Sequence, residues 1–210
     1  MEAKRHVIAR CRTLGAAIVL VLAGTTGRAA EAPAWQLDKG DVRVTVPLKP
    51  GGAFAATTTA LGGTVRLAES APGTKPARLT GEVTMDLTNI DTGIALRNQH
   101  LRENYLEVGK GGGFDKAVLT DIRLAAADGD AFEGDTDFTA TLALHGVAKQ
   151  VAGKMEVRKE AGGRRVRADF PVTLTDFGIT PPIYLGVGVG NKLLVKVQCL
   201  AMPVHHPAKD

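Results

Sequence analysis

Apolar and polar residues alternate along most of the chain, and this period of two is the pattern of a β-strand with one buried face. The clearest example is residues 79–87, where Leu, Gly, Val, Met and Leu alternate with Thr, Glu, Thr and Asp. Such a strand is strongly specified, because a shift of one residue would turn every apolar side chain outward. The same alternation predicts further strands at 42–48, 54–60, 64–68, 118–124, 138–144, 151–157, 166–174 and 193–199.

One segment, residues 89–108, departs from this alternation. At spacings of three and four, which place side chains on one face of a helix, it carries Ile94, Arg97, Leu101 and Tyr105. Asp91 or Thr92 can cap the helix N-terminus through its side-chain oxygen. Gly109 ends the pattern. We therefore predict about four helical turns over residues 93–108, inserted into a chain that otherwise forms strands.

The predicted strands favour one antiparallel sheet that closes into a barrel. There are about eight or nine of them, each with a polar outer face, whereas strands of a parallel sheet are apolar on both faces. A two-sheet sandwich is the alternative. The inward positions carry many Val, Ala and Gly, and the chain has only six Phe, two Tyr and one Trp. The sequence thus predicts an all-β fold, an antiparallel eight-stranded β-barrel with one inserted α-helix and room inside for a slender ligand.

The first thirty residues have the pattern of a secretory signal peptide. Basic residues come first, and the apolar stretch 14–24 is too short to span a bilayer. An uncleaved anchor is the alternative, against which Arg28 argues. Cleavage is expected among residues 29–34, which would leave a barrel domain at 31–202 and a flexible tail at 203–210. We therefore expect a periplasmic protein, secreted across the inner membrane.

The charge of the chain belongs largely to this leader. Residues 1–30 hold five of the 26 Lys and Arg and one of the 22 Asp and Glu, so 21 of each remain in the rest of the chain. A nearly neutral domain lacks the basic excess that nucleic acid binding needs. We therefore expect no nucleic acid partner.

Catalytic and metal sites have little support in the sequence. Cys199, the one cysteine after the leader, alternates with Val195 and Val197, which indicates a buried core residue and allows no intramolecular disulfide. No Gly-x-Ser-x-Gly motif is present. Asp86, Asp91 and Glu103 could supply paired carboxylates, but Asp86 is expected on the outer face of a strand and Glu103 on the solvated surface of the helix. The histidines after the leader do not form a metal-binding motif; they are His100, His145, His205 and His206. We expect neither an enzyme nor a cofactor.

Three blocks of sequence, in order, resemble the YceI-like family. They are Ile90 to Gly93 with the following Leu-Arg and His-Leu-Arg, then Leu144 to Lys149, similar to the family's His-Gly-Val-Thr-Lys turn, then Phe170 to Gly190, similar to its Asp-Phe-Gly-Ile segment. Two stretches, both expected at barrel ends, depart from the family. Lys39-Gly40-Asp41 replaces a His-Ser pair, and Gly111 to Gly113 replace a Tyr-Pro segment. In addition, the Pro- and Gly-rich run 181–190 predicts a mobile or specially shaped loop.

The resemblance implies a periplasmic, lipocalin-like barrel associated with polyisoprenoid lipids. Its ligand would be an isoprenoid or quinone-like lipid held in the barrel. Inward-facing strand residues expected to line the cavity are Val83, Met85, Leu87, Leu142, Leu144, Phe170 and Val195. Polar residues expected near its mouth are Arg97, His100 and Tyr105.

The polar residues of the helical segment have two interpretations. In one, Arg97, Arg102 and His100 meet an anionic lipid head group at the barrel mouth. In the other, Arg97 pairs with Asp91 and His100 bonds a backbone carbonyl, so that the helix is pinned across the barrel end.

The sequence also leaves a different function open. A barrel with a filled interior would act as an envelope-stress or interaction protein and would bind an inner-membrane protein partner through its outer surface or its helix. The oligomeric state is open as well, with a homodimer among the options.

Overall fold

The computed structural model of the chain describes residues 34–68, 77–126, 133–160, 162–184 and 186–204. Two predicted features therefore lie wholly or largely outside the described residues. The first is the signal peptide, and the second is the tail at 203–210, of which the structure describes only Pro203 and Val204.

Strands make up most of the described chain. They are β1 Ala34–Lys49, β2 Ala53–Thr58, β3 Leu61–Leu67, β4 Ala77–Asp86, β5 Lys116–Leu124, β6 Gly134–Leu144, β7 Val147–Glu160, β8 Gly163–Thr173, β9 Ile183–Tyr184, β10 Val187–Val189 and β11 Lys192–Pro203. The helical residues are α1 Ala95–His100, a π-helical turn Leu101–Tyr105, and two 3-10 turns, Val108–Lys110 and Leu174–Phe177.

Antiparallel pairing closes these strands into a barrel. From β3 to β7, each strand pairs with the next one in the chain. The last of this series, β8, pairs with β11, and β11 pairs with β1. The other side of β1 pairs with β2 along one half and with β3 along the other, so β2 and β3 together occupy one position of the ring. The prediction of an eight-stranded antiparallel barrel is confirmed, and the sandwich is excluded. A small hairpin, β9–β10, joins the end of β1, where Leu48 faces Val189.

Two expectations about turns and ends are wrong. The glycine pair Gly62-Gly63 lies between the predicted strands 54–60 and 64–68, and this position predicts a turn. The two residues do not form it, because both lie inside β3 and the chain bends earlier, where the Leu61 amide donates to the Thr59 carbonyl. Residues 39–41 do not lie at a barrel end. They form a bulge inside β1, where the register against β11 shifts between Asp38 and Asp41.

The prediction of a regular four-turn α-helix is also wrong. Its α-helical part has six residues and continues as a wider turn, in which the Leu106 amide donates to the Leu101 carbonyl at 2.9 Å. The cap position is Ile94, so neither predicted cap residue caps it. The carboxylate of Asp91 instead accepts from the Gly93 amide at 2.9 Å and from the Asn98 side chain at 2.6 Å.

The inward faces of the strands form a largely apolar interior. Among the most deeply buried side chains are Phe177, Leu87 and Val42, which come from the turn after β8, the end of β4 and the middle of β1. Leu87 and Val42 also line an open space inside the barrel, which is where the candidate site lies.

Candidate functional site

A cavity of about 720 Å³ occupies one half of the barrel interior, and we call it the upper cavity. Its volume lies in the range of roughly 300–1,000 Å³ that is usual for small-molecule sites. Side chains from β1, β2, β4, β5, β6, β8 and β11 line it, and the helical segment covers part of it. All ten residues predicted as ligand-binding lie on its wall, namely Val83, Met85, Leu87, Leu142, Leu144, Phe170, Val195, Arg97, His100 and Tyr105. Their role in binding stays a prediction.

Among the residues that the structure describes, polar side chains reach this cavity from one element only. They are Arg97, His100 and Tyr105, all from the helical segment, and every other described lining residue is apolar. The guanidinium of Arg97 lies over the ring of Phe54, 4.2 Å from its centroid. This cation–π contact holds the cation at the edge of an apolar space. The arrangement suits an amphipathic molecule with one polar end.

The side chains predicted to hold the helical segment on the barrel are not the ones that do so. Arg97 does not pair with Asp91, whose pKa is lowered first by the hydrogen bond from the Gly93 amide and next by the one from Asn98. In the described part of the chain, the His100 ring has no hydrogen-bond partner, so it does not bond a carbonyl as predicted. Arg102 is the anchor, because its guanidinium donates to the carbonyls of Asn98 at 3.2 Å and Thr88 at 2.9 Å.

Two elements with exposed apolar side chains border the cavity. At the start of the helical segment, Ile94 and Leu96 line the cavity and are 49% and 61% exposed. On the β9–β10 hairpin, Val187 also lines it, and Ile183 beside it is 79% exposed. The run 181–190, predicted as a specially shaped loop, therefore forms this hairpin on the cavity wall.

A second, smaller cavity of about 130 Å³ lies in the other half of the barrel, and we call it the lower cavity. Trp35, Phe138 and Cys199 are among the residues on its wall. Four residues line both cavities, and they are Val83, Leu119, Phe170 and Val197. Neither the second cavity nor this shared wall was evident in the sequence, since the alternation shows only that these side chains point inward.

Sequence reasoning also missed a partly buried polar contact outside the cavities. In the sequence, His145 continues the polar positions Thr139 and Thr141, which predicts a place on the outer face of that strand. It lies instead in the turn after β6 with φ +53°. One ring nitrogen lies 3.0 Å from the Phe177 carbonyl oxygen, and the other lies 3.0 Å from a carboxylate oxygen of Glu107. Glu107 also pairs with Lys110 at 2.7 Å, which is the main cause of its lowered pKa. Through these two contacts, His145 connects the loop after the helical segment to the turn after β8.

Cys199 is the buried core residue that the sequence predicted, with 5% of its surface exposed. Burial, and to a smaller extent the nearby Asp41 carboxylate, raise the pKa of its thiol to about 11. Since the thiolate is the reactive form, a pKa about two units above the ordinary value leaves roughly a hundredfold less thiolate at a given mildly alkaline pH.

We expect iodoacetamide to label Cys199 at least about a hundredfold more slowly in the native protein than in urea. The measurement is the alkylation rate at pH 8, followed by mass spectrometry, on protein prepared without residues 1–30 so that Cys199 is its one cysteine. Rapid labelling without urea would contradict the buried position of this thiol.

Side chains that could bind a metal ion do not cluster in the segments that the structure describes. There, no three or more His, Cys, Asp or Glu side chains lie close enough together to hold one. None of the helices in those segments is long and apolar enough to cross a membrane.

Comparison with known proteins gives a consistent picture of the fold. The chain is similar to a polyisoprenoid binding domain from Saccharophagus degradans, with a TM-score of 0.57, 15% identity, and coverage of 81% of this chain and 98% of that one. It is similar to BcnA of Burkholderia cenocepacia, with a TM-score of 0.57, 13% identity, and coverage of 77% and 96%. The YCEI protein of Campylobacter jejuni has a TM-score of 0.50 at 14% identity, with coverage of 72% and 85%.

Sequence comparison is more specific. No curated protein matches the chain in sequence. The family model of the YceI-like domain, however, matches residues 35–201, which is most of the chain and nearly all of the barrel. This match agrees with the three sequence blocks that carry the resemblance. The chain therefore belongs to the YceI-like family.

Proposed function

We propose that the protein is a periplasmic carrier that holds one isoprenoid-type or quinone-like lipid in the upper cavity. The observation that carries this proposal is the composition of the described part of the cavity wall, which is apolar except for Arg97, His100 and Tyr105 on one helical segment. Such a wall would bury an apolar chain and place one polar end beside these three side chains. The role is binding, and the proposal includes no catalytic step.

Burial of an apolar chain supplies enough free energy for this role. At about 25 cal/mol per Å² of apolar surface, a few hundred square ångströms removed from water contribute several kcal/mol. Ordering the chain and losing its translational freedom oppose this gain. The cavity is formed by strands of a closed barrel, so little of the gain is spent on reshaping the protein.

The family and the similar structures support the chemical class of the ligand. The chain belongs to the YceI-like family, and the similar domain from Saccharophagus degradans is described as polyisoprenoid binding. Residues 1–30, with their basic start and short apolar stretch, support secretion into the periplasm.

The exposed apolar residues at the cavity border suit a ligand that resides in membranes. Ile94, Leu96 and Val187 extend the apolar wall of the cavity to the protein surface. A lipid chain passing this border would stay in contact with apolar side chains on its way in. The alternative of a filled barrel without a lipid does not fit a cavity of about 720 Å³.

The test is native mass spectrometry of the secreted protein, purified from the periplasm without detergent, followed by organic extraction and lipid analysis. We expect one isoprenoid or quinone-like molecule per protein. If the protein is free of lipid and takes up none when incubated with prenols or quinones, the carrier proposal is wrong. Recovery of the protein in the cytoplasmic fraction would contradict the periplasmic location.

A further inference from the structure

One layer of side chains borders both cavities inside the barrel. It consists of Val83 on β4, Leu119 on β5, Phe170 on β8 and Val197 on β11, the four residues that line both spaces. We call this layer the partition. Phe170 is its largest member and is 3% exposed, so its ring lies wholly inside the barrel.

The ring of Phe170 is held in place by a neighbouring aromatic residue. Phe138 on β6 meets it edge to face, with ring centroids 5.9 Å apart and planes at 87°. This geometry is favourable for an aromatic pair. Phe138 lines the lower cavity and not the upper one, so the aromatic pair extends from the partition into the lower cavity.

Gly153 on the intervening strand, β7, allows the two rings to lie here. It faces Phe138 across the β6–β7 pair. A Cβ atom at this position would lie 2.2 Å from the Asp169 carbonyl oxygen, 2.7 Å from the Phe170 Cβ and 3.0 Å from a ring carbon of Phe138. Any side chain would therefore displace the pair. Three adjacent strands thus combine to hold one aromatic ring at the boundary between the cavities.

We propose that the partition sets the length of the lipid chain that the protein accepts, with Phe170 as the specificity-determining residue. This inference rests on the proposed function. The polar residues of the helical segment line only the upper cavity, so a lipid whose polar end lies there extends its chain toward the partition. The chain end stops at the ring of Phe170. Beyond it, about 130 Å³ of space becomes usable when the ring is removed, and its wall is apolar except for Arg164 among the described residues.

The experiment compares the wild-type protein with Phe170→Ala and Phe170→Leu in binding a series of prenols that differ by one isoprene unit. The prenols compete in an equimolar mixture, and native mass spectrometry reads the bound species. We expect both variants to raise the ratio of longer to shorter bound prenols, by about tenfold or more in Phe170→Ala, because a longer chain buries additional methylene groups in the lower cavity.

Phe54→Ala is the matched control. It removes the same side chain from the wall of the upper cavity, beneath Arg97, and Phe54 does not line the lower cavity. We expect this variant to keep the wild-type length preference. Circular dichroism and thermal unfolding verify that each variant is folded. If Phe170→Ala does not fold, the comparison is made with the milder variant Phe170→Leu.

The outcomes separate this inference from the proposed function. A wild-type protein that binds none of the prenols overturns the proposed function and the length inference with it. A wild-type protein that binds prenols while both folded Phe170 variants keep its length preference overturns the length inference alone. The same shift in Phe54→Ala would also overturn it, because the effect would then follow from cavity volume in general.

Discussion

Replacing Leu142 by tryptophan is expected to abolish binding of the lipid while the barrel remains folded. Leu142 lies on β6 opposite Leu119, is 3% exposed and points into the upper cavity. An indole here would occupy space that the lipid chain needs. Each ~100 Å² of apolar surface that the lipid can no longer bury weakens binding by about 2.5 kcal/mol, or almost a hundredfold in the dissociation constant. The measurement is stoichiometric binding of a prenol by native mass spectrometry.

Thr141→Trp is the control for this variant. Thr141 is the neighbour of Leu142 on the same strand, and it lines neither cavity because successive side chains point to opposite faces. The same residue added there leaves the cavity unchanged, so we expect wild-type binding. Undiminished binding in Leu142→Trp, with thermal unfolding still cooperative, would show that the lipid binds elsewhere.

The barrel and its lining were predictable because both follow from a period of two. Apolar residues occupy every second position of β4, β6, β8 and β11. In any closed sheet these residues, among them Met85, Leu144 and Val195, must therefore face the interior. Antiparallel neighbours in chain order then give the ring. This is why every strand residue selected from the sequence lies on the wall of the upper cavity.

The helical segment was less predictable because its geometry depends on contacts that the spacing does not encode. Asn98 links to both Asp91 and Thr92, which moves the first helical turn to a later residue than a capping pattern indicates. Arg97 and Arg102 are alike in sequence, yet one lies over Phe54 on the cavity wall and the other bonds backbone carbonyls. Their separate positions depend on where the segment rests on the barrel.

The division of the interior into two cavities could not be predicted either. The alternation places Val83, Leu119, Phe170 and Val197 on the inner side of the sheet, but it does not show that all four border both cavities. Their height in the barrel depends on strand tilt and register around the ring. The glycines that permit close approach are similarly ambiguous, because Gly62 and Gly63 look equivalent in the sequence and differ completely in the fold.

Replacing Gly63 by alanine is expected to lower the free energy of unfolding by about 3–5 kcal/mol, from backbone strain and overpacking together. Gly63 has φ +135°, which L-residues rarely adopt, and faces Val83 of the partition across the β3–β4 pair. An added Cβ would lie 2.1 Å from the backbone carbonyl oxygen of Glu82, so the strand itself would have to move. Urea unfolding monitored by circular dichroism gives the change.

Gly62→Ala provides a control one residue away. A Cβ atom at Gly62 would have no atom within 4 Å, so alanine there is expected to change stability by less than about 1 kcal/mol, with a small gain from the stiffer unfolded chain. Equal losses in the two variants would show that β3 tolerates no side chain at either position for a reason other than contact with β4. A large loss confined to Gly63→Ala would instead show that β3 lies too close to β4 at this position, opposite Val83 of the partition, to admit a Cβ atom.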